Sequence, residues 1–157
     1  MDLTPPVANS LSPVDEAVGL AVDANFAVTF NEIIQSRPGD IVIRMSSDNS
    51  EIETIPANDG TRVNVLGNTV TINPATILSA GTGYYVEIDA GAFEDLAGND
   101  FAGFDGVSAW NFVTRGFFLV NSCDDAVDVN PGDGVALTAG GVTSLRAAVM
   151  EANALAG

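Results

Sequence analysis

The chain is 157 residues long and 46% hydrophobic, and it carries 21 Asp and Glu against five Lys and Arg, for a formal net charge of −16. That length and apolar content suffice for one full core and part of a second, which excludes a disordered tail and sets an expectation of one or two domains. All five basic residues are Arg and there is no His, so nucleic acid and anionic membrane surfaces are poor partners, since phosphate binding needs cations that displace counterions.

Cations are the natural counterpart of such a chain. Surface carboxylates also keep a secreted protein soluble, and the two roles are compatible. Cys123 is the sole cysteine, which rules out an intrachain disulfide and leaves core packing and bound ions to hold the fold. No apolar run approaches the roughly 18 residues of a membrane span, so no membrane insertion is expected. Met1-Asp2-Leu3 lacks the basic and apolar stretches of a leader, and the start reads as a point inside a longer secreted chain.

In chain order, the stiff Pro5-Pro6 pair precedes a first strand over 7–11, with 12–16 as the loop leaving it. Phe26, Val28 and Phe30 alternate with Ala27 and Thr29 to give the inward face of the next strand. Ile41, Ile43 and Met45 repeat the pattern. The acidic stretch 51–55 suits a sheet edge, where charge blocks edge-to-edge pairing. It is read here as one interrupted edge element with 62–66. Val63 and Val65, the two-residue loop Gly67-Asn68, and Val70 and Ile72 form a tight hairpin, with glycine first in the loop favouring a type II′ turn.

Pro74 ends that hairpin, and a third strand follows with Tyr84, Val86 and Ile88 on one face and Tyr85, Glu87 and Asp89 on the other. The Tyr84 hydroxyl sits where it can bond the backbone of the corner before it, as in tyrosine corners. A long loop carries Asp95-Leu96-Ala97-Gly98-Asn99, and Trp110, Phe112 and Thr114 close the last strand. The fold class these patterns predict is all-β: an antiparallel sandwich of about seven strands over 1–115.

Residues 116–157 read differently, as a short apolar strand over 117–121, an acidic turn-rich loop over 124–141, and a helix. Ser144 is a plausible N-cap for that helix, and Leu145, Ala148, Val149 and Ala152 fall on one face at helical spacing.

In their order and spacing, several of these segments resemble the bacterial Ig-like domain family of S-layer and large-adhesin modules. They are Asp2-Leu3-Thr4-Pro5-Pro6, Val28-Thr29-Phe30, the run from Leu78 through Gly81-Thr82 to Tyr84, Val86 and Ile88, Asp95 to Asn99, and Trp110 to Thr114. The resemblance spans 2–115. The segment 117–156 is similar to the CSLREA-type cap that opens right-handed parallel β-helices, on Val120-Asn121-Ser122, Asp125, Asp128, Asn130-Pro131-Gly132-Asp133-Gly134 and Leu145-Arg146-Ala147-Ala148 to Asn153. Ala136 and Thr143 stand where that family usually has its cysteine pair.

Catalysis finds no footing here. Without His or Lys, and with a cysteine that has no His partner, the usual general bases and activated nucleophiles are missing. Acidic residues are so frequent that two of them close in sequence carry no signal for glycoside hydrolysis.

Calcium is the better match, because a hard cation takes several oxygens from Asp, Glu, Asn and backbone carbonyls. With strands alternating in direction, the N-terminal linker, the loop after the second strand and the loop before the last strand meet at one pole. That pole collects Asp2, Glu32, Asp95, Asn99 and Asp100, and the Ig-like resemblance implies a calcium ion stiffening a linker there. The competing reading gives Gly98-Asn99 a turn role, with Leu96 plugging the sandwich end. A second set is Asp128, Asn130 and Asp133, a DxNxDG-like calcium loop with one inserted residue. The insertion breaks the ligand register, so an Asx or Pro-Gly turn is the preferred reading, and Ala139 stands where an EF-hand loop would need Glu.

The reading is thus a non-catalytic extracellular or cell-surface module, a spacer or adhesion element whose partners are the neighbouring domains of its own chain and a glycan or host-surface protein. The alternative is a carbohydrate-contacting accessory to a polysaccharide-processing β-helix. For that role Tyr85, Phe101 and Phe104 are the aromatic residues not assigned to the core.

Overall fold

Apolar alternation turns into strands wherever the alternate side chains find a common core. The computed structural model describes residues 2–117 and 119–155, and the chain divides into two units, Met1–Arg115 and Gly116–Gly157.

Among its described residues the first unit contains eleven strands. They are β1 (Ala8–Ser12), β2 (Ala17–Leu20), β3 (Phe26–Phe30), β4 (Ile34–Ser36), β5 (Asp40–Met45), β6 (Glu51–Pro56), β7 (Val63–Leu66), β8 (Thr69–Ile72), β9 (Gly83–Ile88), β10 (Phe93–Asp95) and β11 (Asn111–Thr114). A four-stranded sheet in the order β1-β3-β8-β7 lies beside a five-stranded one in the order β2-β11-β9-β5-β6. Pairing is antiparallel except between β2 and β11. This is the expected Ig-like sandwich.

Its core is where the sequence placed it. Phe26, Val28 and Phe30 of one sheet, and Ile41, Ile43, Tyr84, Val86 and Phe112 of the other, are all buried, as is Trp110. The rings form a continuous chain. Tyr84 touches Phe112 at 6.0 Å between centroids, Phe112 touches Phe26 at 5.2 Å, and Phe26 meets Trp110 edge-on at 5.7 Å. Phe104, Phe101, Phe30 and Phe93 extend it at 6.0, 5.3, 5.0 and 6.0 Å. Trp110 is also anchored by its polar end, donating from Nε1 to the Pro13 carbonyl at 2.8 Å. The Tyr84 hydroxyl accepts from Ser79 N at 2.9 Å, closing the expected corner.

The turns follow local chemistry. Gly67 takes φ of 63° at the first loop position of the β7–β8 hairpin, as a type II′ turn requires. Gly103 also has positive φ, and a Cβ there would lie 2.4 Å from the Ile88 carbonyl oxygen, so only glycine fits.

Four expectations change. The stretches 51–55 and 62–66 are not one edge element: β6 pairs with β5, whereas β7 pairs with β8 in the opposite sheet. The crossing is made by a polar turn in which Asp59 accepts from the Thr61 hydroxyl at 2.6 Å and from Arg62 Nε at 3.0 Å, while Arg62 also pairs with Glu53. Second, β2 and the small β4–β10 ladder are additional strands, each only three or four residues long. Third, Leu96 is 68% exposed and plugs nothing; Phe93 and Phe101 close that end. Fourth, Tyr85 and Phe101 are buried, at 3% and 4% exposure, and Phe104 packs on the core. Tyr85 reaches Asn49 Oδ1 through its hydroxyl, so none of the three rings forms a sugar-stacking platform.

Among its described residues the second unit contains one helix, α1 (Leu145–Leu155), started by Ser144, whose Oγ accepts from Ala147 N at 3.0 Å as an N-cap. Among the described residues of 117–121 the expected strand is not formed. Phe118 lies outside the described residues, Phe117 and Leu119 are exposed, Asn121 N donates to Thr143 O at 3.0 Å, and a bridge joins the next residue, Ser122, to Ser144. The buried face of α1 also differs from the expected one: it carries Ala147, Ala148 and Glu151, while Leu145, Val149 and Ala152 are exposed. Glu151 turns the helix, because its carboxylate accepts from the N–H groups of Gly132 and Gly134.

Two measurements check this account. Trp110→Ala removes the ring that joins the two halves of the aromatic chain, and should lower unfolding stability by about 3–5 kcal/mol; an unchanged melting temperature by circular dichroism would contradict it. The hydrogen bonds from Thr61, then Arg62, hold the Asp59 carboxyl at about 2, below its ordinary 3.8. Its contribution is therefore present above the unfolded value of 3.8 and is lost as pH falls through about 2. Asp59→Asn should lower the midpoint at neutral pH and flatten the decline between those two values.

Candidate metal centre

At one pole of the sandwich the aromatic chain ends in Phe93, and β10 continues to Glu94 and Asp95. Pairing with β4 sets Asp95 opposite Ile34, two residues after Glu32. The incoming segment reaches the same place from another direction. Asn31 N donates to Val7 O at 3.0 Å and Val7 N donates to Asn31 Oδ1 at 2.7 Å, pinning the chain just after Pro5-Pro6.

One carboxylate oxygen each from Asp2, Glu32 and Asp95 lies within 4.8 Å of the others. Ile33, Leu96 and Ala97 line the same open depression. Asp95 is buried at 1% exposure, Glu32 is half-buried and Asp2 is exposed.

Asp95 shapes the turn that carries it. Its Oδ1 accepts from Ala97 N and Asn99 N, both at 2.8 Å, and its Oδ2 accepts from Asn99 Nδ2 at 2.6 Å. Burial works against ionisation, but these bonds from Asn99 and Ala97, with Gly98, outweigh it and hold the carboxyl below its ordinary 3.8. Glu32 is shifted the other way. Desolvation first, then the charges of Asp95 and Asp2, raise its pKa above the ordinary 4.5. The pole therefore joins one firmly ionised carboxylate to one whose charge is resisted.

Of the five residues expected here, the structure brings Asp2, Glu32 and Asp95 together. Asn99 belongs to the site differently, because its Nδ2 is spent on Asp95 and on the linker carbonyls of Asp2 and Thr4, at 3.3 and 3.5 Å. Asp100 stands apart, bridged through its backbone to Glu94, with its carboxylate 3.5–3.6 Å from where a Gly91 Cβ would be. Glu94, unforeseen in the sequence, is also buried, but it is answered by Gln35 Nε2 at 2.7 Å and Arg37 Nη1 at 3.1 Å.

In the second unit Asp128 Oδ1 accepts from Asn130 N at 3.1 Å, and Asn130 Nδ2 donates to Asp133 Oδ2 at 3.0 Å. The turn reading thus holds for its backbone. Glu151 escaped the sequence reading because a glutamate in mid-helix reads as solvated; the glycine pair at 132 and 134 was the signal for a buried acceptor.

Comparison with known proteins agrees with this architecture. Residues 2–114 match the bacterial Ig-like domain family, and the chain belongs to it. Among solved structures it is similar to CopC from Methylosinus trichosporium OB3b, at 13% identity and a TM-score of 0.52, with 73% of this chain and 97% of that one covered. It is also similar to the N-terminal part of the bacterial S-layer protein SbsC, at 22% identity and a TM-score of 0.48, covering 80% of this chain and 29% of that one. The longer S-layer fragment rSbsC(31-844) aligns at 21% identity and a TM-score of 0.46, covering 80% and 17%. No curated protein matches the sequence. Among the described residues, no helix is long and apolar enough to cross a membrane.

Proposed function

We propose that the chain is a non-catalytic Ig-like spacer module of a secreted or cell-surface bacterial protein, with calcium at Asp2, Glu32 and Asp95 stiffening the segment that enters the sandwich. The observation that carries this is the convergence of a linker carboxylate with two domain carboxylates, while Asn99 ties the linker carbonyls to the same turn. A hard cation there would replace mutual repulsion by shared ligation and convert a hinge into a fixed junction. Its partners are then the neighbouring domains of its own chain. Residues 116–157 fit a cap for a parallel β-helix through their sequence motif, and the exposed Leu145 and Val149 are apolar side chains such a partner would cover.

Trp110 is the sole tryptophan, so its fluorescence reports the unfolding of the first unit alone. Calcium at about a hundred times its dissociation constant should stabilise that transition by roughly 2.7 kcal/mol relative to chelator. Glu32 has a raised folded pKa, so its favourable protonated state is present below pH 4.5 and is lost as pH rises through the raised value. Glu32→Gln should therefore raise the midpoint in chelator at neutral pH and shrink the gain from calcium. A tryptophan-monitored midpoint indifferent to calcium would sink the metal reading.

A further inference from the structure

The second unit presents a different electrostatic problem, independent of the pole. It buries two carboxylates, Asp128 at 4% exposure and Glu151 at 0%. Glu151 is answered by the Gly132 and Gly134 amides. Asp128 is answered on one side only. Its Oδ1 accepts from Asn130 N, but Oδ2 is buried with no hydrogen-bond partner, alone among the buried side-chain polar atoms of the described residues.

An ionised oxygen removed from water without a partner is strongly disfavoured and calls for a positive counterpart. The unit's own cation is committed elsewhere. Arg146 is the sole basic residue of 116–157, and its Nε and Nη2 both go to Asp125 at 2.6 Å.

We infer that Asp128 Oδ2 ligates a calcium ion held by the 128–134 turn, together with the Asn130 amide oxygen and the Asp133 carboxylate. Across the residue inserted relative to a DxNxDG loop, Asn130 still links the two acidic side chains, its N donating to Asp128 Oδ1 and its Nδ2 to Asp133 Oδ2. Asn130 and Asp133 touch through Nδ2 and Oδ2, which leaves the Asn130 amide oxygen for a cation, while Gly132 N is drawn off to Glu151. Calcium suits the set better than magnesium, because it accepts mixed carboxylate and amide oxygens in irregular geometry, whereas magnesium demands a near-ideal octahedron.

The test is a calcium titration of the ¹⁵N-labelled full chain, followed at the amides of Asn130, Gly132 and Gly134, with Ala97 and Asn99 reporting the sandwich pole separately. The inference expects saturable shifts at 130–134 with a dissociation constant at or below the ~10⁻³ M typical of extracellular calcium modules. Asp128→Asn should abolish them while leaving any response at 97–99 intact. Asp133→Asn, at an exposed residue, should move them to higher calcium, and it decides the matter if the Asp128 variant loses the helix. Absence of shifts at 130–134, or shifts that survive in the folded variants unchanged, overturns the site. So does a carboxyl ¹³C signal showing Asp128 protonated at neutral pH and unaffected by calcium.

Discussion

Everything at the acidic pole rests on an unbroken contact path of eight aromatic rings, from Tyr84 through Phe112, Phe26, Trp110, Phe104, Phe101 and Phe30 to Phe93. Each buried ring contributes apolar area, and neighbouring rings add about 0.5–1.5 kcal/mol per pair beyond it. The path crosses from one sheet to the other at Phe26 and again reaches β3 at Phe30. Its far end fixes β10, and through β10 it fixes Asp95. A carboxylate two residues beyond a buried phenylalanine cannot drift away from its neighbours, so the repulsion from Glu32 and Asp2 must be tolerated or neutralised in place.

That rigidity explains why the site is electrostatically uneven. Asp95 satisfies its charge from its own turn, and Asn99 does double duty by holding both Asp95 and the linker carbonyls. Among the described residues Glu32 has no comparable set of donors, and its raised pKa records the cost. A cation entering from solvent would meet Asp2 first and would draw the linker toward the domain. In the proposed spacer role, which is geometric rather than chemical, this is the place where ion binding would matter most.

Much of the sandwich was legible because strand periodicity needs no partner to be seen: Phe26-Val28-Phe30, Ile41-Ile43 and Val70-Ile72 announce their faces within a few residues. Strand alternation and the Ig-like resemblance pointed to a pole of five residues, of which Asp2, Glu32 and Asp95 lie together while Asp100 stands apart. What escaped was decided by tertiary contacts. The β4–β10 ladder is too short to show a period, and Tyr85 alternates as a solvent-facing residue yet is covered, with its hydroxyl on Asn49. The break between β6 and β7 depends on Asp59, Thr61 and Arg62 folding a turn that sequence spacing does not distinguish from a bulge. In the second unit, helical periodicity pointed to Leu145 and Val149, but the amides of Gly132 and Gly134 claimed Glu151 and rotated the helix about that anchor.

The most direct test of the central claim is crystallographic. Crystals of the full chain soaked in a lanthanide, a calcium surrogate visible by anomalous scattering, should show a peak among the Asp2, Glu32 and Asp95 carboxylates, at roughly the 2.3–2.6 Å ligand distances of calcium. A map with those three carboxylates well ordered and no anomalous peak between them would contradict the account.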